Sequence, residues 1–139
     1  MKLKKKIELI LDKYDLSVQI PDGFDTVYDF IRHHGHVEPY ESDLFCYEMH
    51  DLWFVSKYRD NIVKGYYGFA IGRPTPKNWL LAIDEILEEL LRFDSDLYIY
   101  QIKLKFGSIR FYVESDVIED MFEIEMLIAD KMFSNKLIY

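Results

Sequence analysis

The sequence predicts an α+β fold, an antiparallel sheet of four to five strands with helices packed mainly on one face, two layers in all. Three patterns carry that prediction. Strict alternation runs through a Phe-Gly pair at residues 101–113, apolar residues recur at helical spacing at residues 78–92 and 115–133, and residues 44–56 and 66–71 are dense in aromatic and β-branched side chains. A chain of 139 residues fits a single domain, 1–139, and at this length folding hides roughly two-thirds of the extended chain's surface. No repeat, low-complexity tract or long linker divides it.

Taken in order, residues 3–14 place Leu3, Ile7, Ile10, Leu11 and Tyr14 on one helical stripe, and Pro21-Asp-Gly23 marks a turn. Asp25 suits the cap of a helical piece from Thr26 to about His33 that Gly35 ends, and Pro39 keeps the following chain extended. Residues 44–56, and residues 66–71 between Gly65 and Gly72, read as two or three strands that pair with the hairpin. After Arg73-Pro-Thr-Pro76 comes the clearest helix, 78–92, with Trp79, Ile83, Ile86, Leu87 and Leu90 on its apolar stripe and Asp84, Glu85, Glu88 and Glu89 opposite. Strands at 97–105 and 108–114 follow. Ser115 then opens a last helix to about residue 133, with Asp116, Glu119 and Asp120 near its positive end. Val117, Met121, Ile124, Ile128 and Met132 form its core stripe, and Met126 also sits at core spacing.

The hairpin carries the most information. With Phe106-Gly107 as its turn, Leu104 faces Ile109, Ile102 faces Phe111 and Tyr100 faces Val113 on a greasy side. The other side sets Lys103 against Arg110 and Gln101 against Tyr112, and like charges across a ladder repel unless something acidic covers them.

Gly68, Gly72, Trp79, Gln101, Lys103, Lys105, Phe106, Gly107, Arg110, Phe111 and Tyr112 together resemble a group of small uncharacterised proteins of bacteria and their phages. In that group a Gly-rich strand end, a Trp-led helix and a hairpin close to Gln-Val-Lys-Glu-Lys-Phe-Gly-Gly-Leu-Arg-Phe-Tyr-Val follow in order. The likeness spans residues 68–113, with nothing comparable in residues 1–60. Leu104 stands where the group has Glu, and Ser108 where it has a second Gly. The resemblance implies a fold and an origin in a bacterium or mobile element, and it carries no catalytic residues.

Twenty-five acidic against 17 basic residues leave a net charge of -8, a field that repels nucleic acid and anionic membranes and favours basic partners. The single Cys46 cannot make an internal disulfide, and the Lys-rich start leads into an amphipathic segment rather than an apolar signal core, so a cytoplasmic setting is expected. No stretch approaches the 18 or so apolar residues of a membrane-crossing helix. P-loop, dinucleotide, nucleophile-elbow and His-Glu-X-X-His signatures are absent, and no cofactor is expected. Basic and aromatic residues interleave at 98–112 as in a single-strand-binding sheet, but the net charge opposes direct nucleic-acid binding.

Three residue groups are candidates for function. Lys103, Lys105, Arg110 and Tyr112 can dock an acidic partner, a phosphate or a carboxylate, with Arg110 as bidentate donor; the plainer alternative is a solvated sheet face. Residues 84–96 hold six carboxylates and residues 114–130 seven. Of these Glu85, Glu88, Glu89, Asp116, Glu119, Asp120 and Glu123 can imitate a phosphate backbone against a basic protein, and the i,i+4 pairs Asp116/Asp120 and Glu119/Glu123 cost helix stability; a solvated helix face is again the plainer alternative. His33, His34, His36, Cys46 and His50 fall within 18 residues and have the donor chemistry for zinc, in a spacing that matches no finger signature, so no metal site is assigned.

The expectation is a non-enzymatic acidic domain whose negative helices overlie a sheet with a positive far side. It would bind a basic protein as a phage or mobile-element accessory inhibiting a host defence or nucleic-acid-processing protein. A toxin-neutralising immunity protein shares the same features, and a small-ligand or metal-binding protein using segment 33–50, or a pocket of Arg110 and tyrosines, is the rival from another class. Exposed aromatics also allow a homodimer with Tyr66, Tyr67 or Phe133 at its seam.

Overall fold

In the computed structural model the described residues are 1–16, 49–66, 68–71, 75 and 77–133. The elements among them are α1 (Leu3–Lys13), α2 (Met49–Tyr58), β1 (Gly68–Ala70), α3 (Lys77–Phe93), β2 (Tyr98–Lys105), β3 (Ser108–Glu114) and α4 (Met121–Lys131). The class is α+β, but the sheet among these residues is three-stranded and mixed, in the order β1-β2-β3, with β1 parallel and β3 antiparallel to β2. The expected all-antiparallel pairing fails at β1 because α3 carries the chain back along the sheet before β2 begins, and such a crossover makes neighbouring strands parallel.

Residues 49–56, expected to be part of a strand, lie in α2. Asp51, Phe54, Val55 and Tyr58 are all buried, a spacing of three, four and seven that belongs to a helix. A charged residue in that stripe hides the period, while aromatic content alone imitates a strand. Asp51 is buried because its carboxylate accepts the backbone N–H of Ile71 at 2.9 Å, which ties α2 to the end of β1. Phe54 stacks on Phe69 of β1 with ring centroids 4.9 Å apart and meets Trp53 edge-on at 5.3 Å.

The α1 stripe of Leu3, Ile7, Ile10 and Leu11 is buried as expected, and the helix packs on α3 and α4. Trp79, Ile83, Ile86, Leu87 and Leu90 of α3 are wholly buried, yet so are Leu80 and Ala82, and Asp84 is only 1% exposed. The expectation that Asp84 lies on a solvated face is thus corrected: α3 is central, with α1 on one flank and α2 on another. The last helix begins at Met121 rather than 115, because the Ser115 hydroxyl accepts the N–H groups of Val117 and Ile118 and closes a turn of its own. Val117 therefore stays exposed, as does Met126, while Met121, Ile124, Ile128 and Met132 reach the core.

The hairpin register matches the expected pairs Leu104 with Ile109, Ile102 with Phe111, Lys103 with Arg110 and Gln101 with Tyr112. Phe106 and Gly107 have φ of 52° and 77°, positive at both central positions as a two-residue type I′ turn requires. One pairing differs. The register shifts between Ile99 and Gln101, so Ile99 rather than Tyr100 opposes Val113. A bulge adds one residue and reverses the facing of everything beyond it, which seats the more apolar Ile99 in the core and turns Tyr100 outward. At the edge, Gly68 has φ 78° and a Cβ there would lie 2.6 Å from the Ile62 side chain, so glycine alone fits.

Candidate functional site

β2 and β3 bury Ile99, Ile102, Ile109, Phe111 and Val113 on one side and present Lys103, Arg110, Gln101, Tyr112 and Glu114 on the other. The bulge adds Tyr100 to that outer side, where Tyr66 meets it edge-on with centroids 4.9 Å apart. Tyr66, Tyr100, Gln101, Tyr112 and Glu114 line an open cleft of about 500 Å³. A second cleft of about 440 Å³ continues past Glu114 to Asp116, Met121, Phe122 and Glu125.

At the turn end of this face the cations stand together. Lys103 and Arg110 are paired across the ladder, and the Lys103 ammonium lies 5.6 Å above the Tyr112 ring. Lys105 lies 5.7 Å from the centroid of Phe106. Neither lysine nor Arg110 makes an ion pair among the described residues, and the Arg110 Nε is buried with no hydrogen-bond acceptor there. A buried donor left in that state costs about 1–3 kcal/mol, which an arriving carboxylate or phosphate oxygen would recover. Phe106, held in the left-handed region that L-residues avoid, is 78% exposed and gains almost no packing for that strain.

The opposite end of the same face is acidic. The Tyr100 hydroxyl donates to Glu114 at 3.2 Å and the Tyr98 hydroxyl to Asp116 at 3.2 Å. Partial burial and then the Glu114 bond push the Tyr100 phenol above its ordinary value, and the Asp116 bond does the same to Tyr98, so both donate throughout the neutral range. Glu125 is held above the usual carboxylate range, chiefly by burial and also by the charge of Glu114, against a lowering backbone bond from Val113. Asp116 and Glu119 precede α4 in turns, and Asp120 flanks its first residue without a side-chain capping bond. The i,i+4 repulsion expected of Asp116/Asp120 and Glu119/Glu123 therefore does not arise, since only Glu123 lies within the helix. Glu123 approaches Lys4 at 3.6 Å.

The carboxylates of α3 are placed differently. Glu85 accepts from Lys13 at 3.1 Å and from the Tyr14 hydroxyl, Glu89 pairs with Arg92 and, at 3.5 Å, with Lys6, and Glu88 pairs with Lys57 at 2.6 Å. The Lys57 ammonium also donates to both oxygens of Asp84 at 2.9 and 3.0 Å, and the Tyr58 hydroxyl donates to the same carboxylate. Burial holds Asp84 above the usual carboxylate range against the opposing pull of Tyr58 and Lys57. Partial burial acts the same way on Glu88, but the Lys57 bond and charge outweigh it and Glu88 lies below the usual range. Lys57 further covers Trp53 and Tyr58 at 5.1 and 5.2 Å from their ring centroids. The face expected to be free for a basic partner is thus occupied by cations of α1 and α2, and charge segregates along the hairpin rather than between layers. Sequence reasoning offered Tyr66 for a dimer seam but not beside Tyr100, and did not single out Tyr98 or Lys57 as members of these sites, because a bulge and a helix packing decide their neighbours.

Among the described residues no three His, Cys, Asp or Glu side chains are grouped to hold a metal ion. His33, His34, His36, Cys46, the His50 side chain and Tyr67 lie outside those residues, as do the helix expected at 26–33 and the turn at 21–23. No described helix is long and apolar enough to cross a membrane. No protein family, curated protein or solved structure matches the chain.

Proposed function

We propose that the protein is a non-enzymatic binding domain that docks a partner protein on the outer face of its hairpin, with carboxylates of the partner received at the turn end. The observation that carries this reading is the state of the cations. Lys6, Lys13, Lys57 and Arg92 all pair with carboxylates of α3. Lys103, Lys105 and Arg110 pair with none among the described residues, and Arg110 keeps a buried donor open. Tyr112 and Tyr66 add exposed amphipathic area beside them, the composition that recurs at binding hot spots. The test is affinity capture from the natural host with three baits: the wild-type chain, Lys103→Ser/Arg110→Ser, and Glu85→Gln/Glu89→Gln. The partner is expected on the first and third baits and lost from the second; equal recovery on the second sinks the reading.

A second reading rests on Asp116, Glu119 and Asp120, which form no ion pair among the described residues. On it the acidic end engages a basic protein, as a phage or mobile-element inhibitor of a host defence or nucleic-acid-processing protein would, or as an immunity protein would engage a nuclease toxin. Asp116→Asn/Glu119→Gln/Asp120→Asn then abolishes capture of a basic partner, and that capture weakens between low and physiological salt; an adjacent toxin gene marks the immunity form.

A further inference from the structure

Resting on the docking reading of the outer hairpin face, we infer that one partner for which this face is built is a second copy of the same chain, set face to face and antiparallel. The charge rows decide this. On β3 the outward residues are Arg110, Tyr112 and Glu114, so a cation and a carboxylate flank Tyr112 at ~7 Å on either side. On β2 the same rows hold Lys103 at the cationic level and, at the acidic level, Tyr98, whose hydroxyl holds Asp116.

A two-fold axis that keeps the strands of two such faces aligned runs either along the strands or across them. Along the strands, it sets each row against the same row of the other copy, cations against cations, which is repulsive. Across the strands at the level of Tyr112, it sets Arg110 against the partner copy's acidic row at Glu114, and Lys103 against the row of Tyr98 and Asp116, twice over because a two-fold contact is reciprocal. The tyrosine hydroxyls already anchor Glu114 and Asp116, and each carboxylate keeps lone pairs for the incoming donor. The same operation carries Phe106, ~16 Å along the strand direction from the level of Tyr112, towards the second cleft of the other copy, where Phe122 is 72% exposed. This gives the strained, solvent-facing Phe106 a place to bury. The overall charge of -8 opposes association at long range, but at physiological salt it is screened beyond ~8 Å, while the facing pairs are in contact.

The experiment is sedimentation equilibrium of the full chain from low to high micromolar concentration. The wild type is expected to approach twice the monomer mass. Lys103→Glu/Arg110→Glu makes both facing rows acidic and Glu114→Lys/Asp116→Lys makes both basic; each alone is expected to dimerise at least tenfold more weakly. Mixed in equal amounts they are expected to form a heterodimer, because every facing pair is again of opposite sign. Phe106→Gly, which suits a positive φ and cannot harm the turn, is expected to weaken the dimer several-fold with its melting temperature unimpaired. A wild type that is monomeric throughout, or charge variants that dimerise singly as the wild type does, overturns the proposal. A monomeric wild type whose partner capture still disappears with Lys103→Ser/Arg110→Ser overturns the dimer alone and leaves docking of a different protein standing.

Discussion

Along α3, each of Asp84, Glu85, Glu88 and Glu89 has a cation within 4 Å, drawn from α1, α2 or the helix itself. On the hairpin, Lys103, Lys105 and Arg110 have no carboxylate at that distance among the described residues, although the chain carries eight more acidic than basic residues. The difference teaches that abundance of a charge and its availability are separate properties. Helix α3 is central, so its carboxylates meet the lysines of whatever packs on it; the outer sheet face meets solvent, and its like-charged ladder keeps a cost that folding alone does not require. Charge on α3 serves cohesion, and charge on the hairpin is left for a partner.

The sharpest way to break this contrast is at its buried end. Lys57→Met removes the cation shared by Asp84 and Glu88, and is expected to cost about 3 kcal/mol in chemical denaturation at neutral pH. Asp84 already titrates above the usual carboxylate range, and losing Lys57 raises it further. A folded pKa above the unfolded one means stability declines as pH rises through that window, so the deficit should shrink as pH is lowered towards the ordinary carboxylate range. A deficit independent of pH would show that Lys57 acts by packing on Trp53 and Tyr58.

At the turn, Phe106→Gly relieves an L-residue at φ 52° and is expected to stabilise by about 0.5–1 kcal/mol, the strain relief exceeding the entropy cost of glycine. Lys103→Glu converts the repulsive pair with Arg110 into an attractive one and is expected to gain about 0.5 kcal/mol while destroying docking, so stability and binding move in opposite directions. If it lowers the melting temperature instead, the cations of this face are structural. The smallest effect belongs to Glu125→Gln, which mimics the protonated carboxyl. It is expected to raise the melting temperature slightly at neutral pH, with the gain fading as acid protonates the wild-type residue, because Glu125 is held high by burial and by Glu114.

Much of the hairpin was legible because two-residue alternation around Phe106-Gly107 names both the turn and the partners, and Lys103 opposite Arg110 needed no coordinates. The stripes of α1 and α3 were legible for the same reason at helical period. Helix α2 was misread because Asp51 occupies a core position that a tertiary contact, the Ile71 backbone N–H, helps make tenable. The parallel β1 had a sequence signal, a strand-like run followed by a helix and then a strand, which outweighs the assumption that neighbouring strands are antiparallel. No periodicity reveals the bulge that turns Tyr100 outward, since it depends on which of Ile99 and Tyr100 fits against Val113.

By itself the sequence determined the α+β class, the hairpin with its cationic outer row, and the apolar stripes, all of which follow from periods of two and 3.6 along a single segment. Only the tertiary structure decided which charges are spent and which remain. Lys6, Lys13 and Lys57 reach α3 from helices distant in the chain, and Tyr98 and Tyr100 reach Asp116 and Glu114 across a strand pair. The physical reason is that an electrostatic interaction depends on separation in space and on local solvent, neither of which is written in the spacing of residues along one segment.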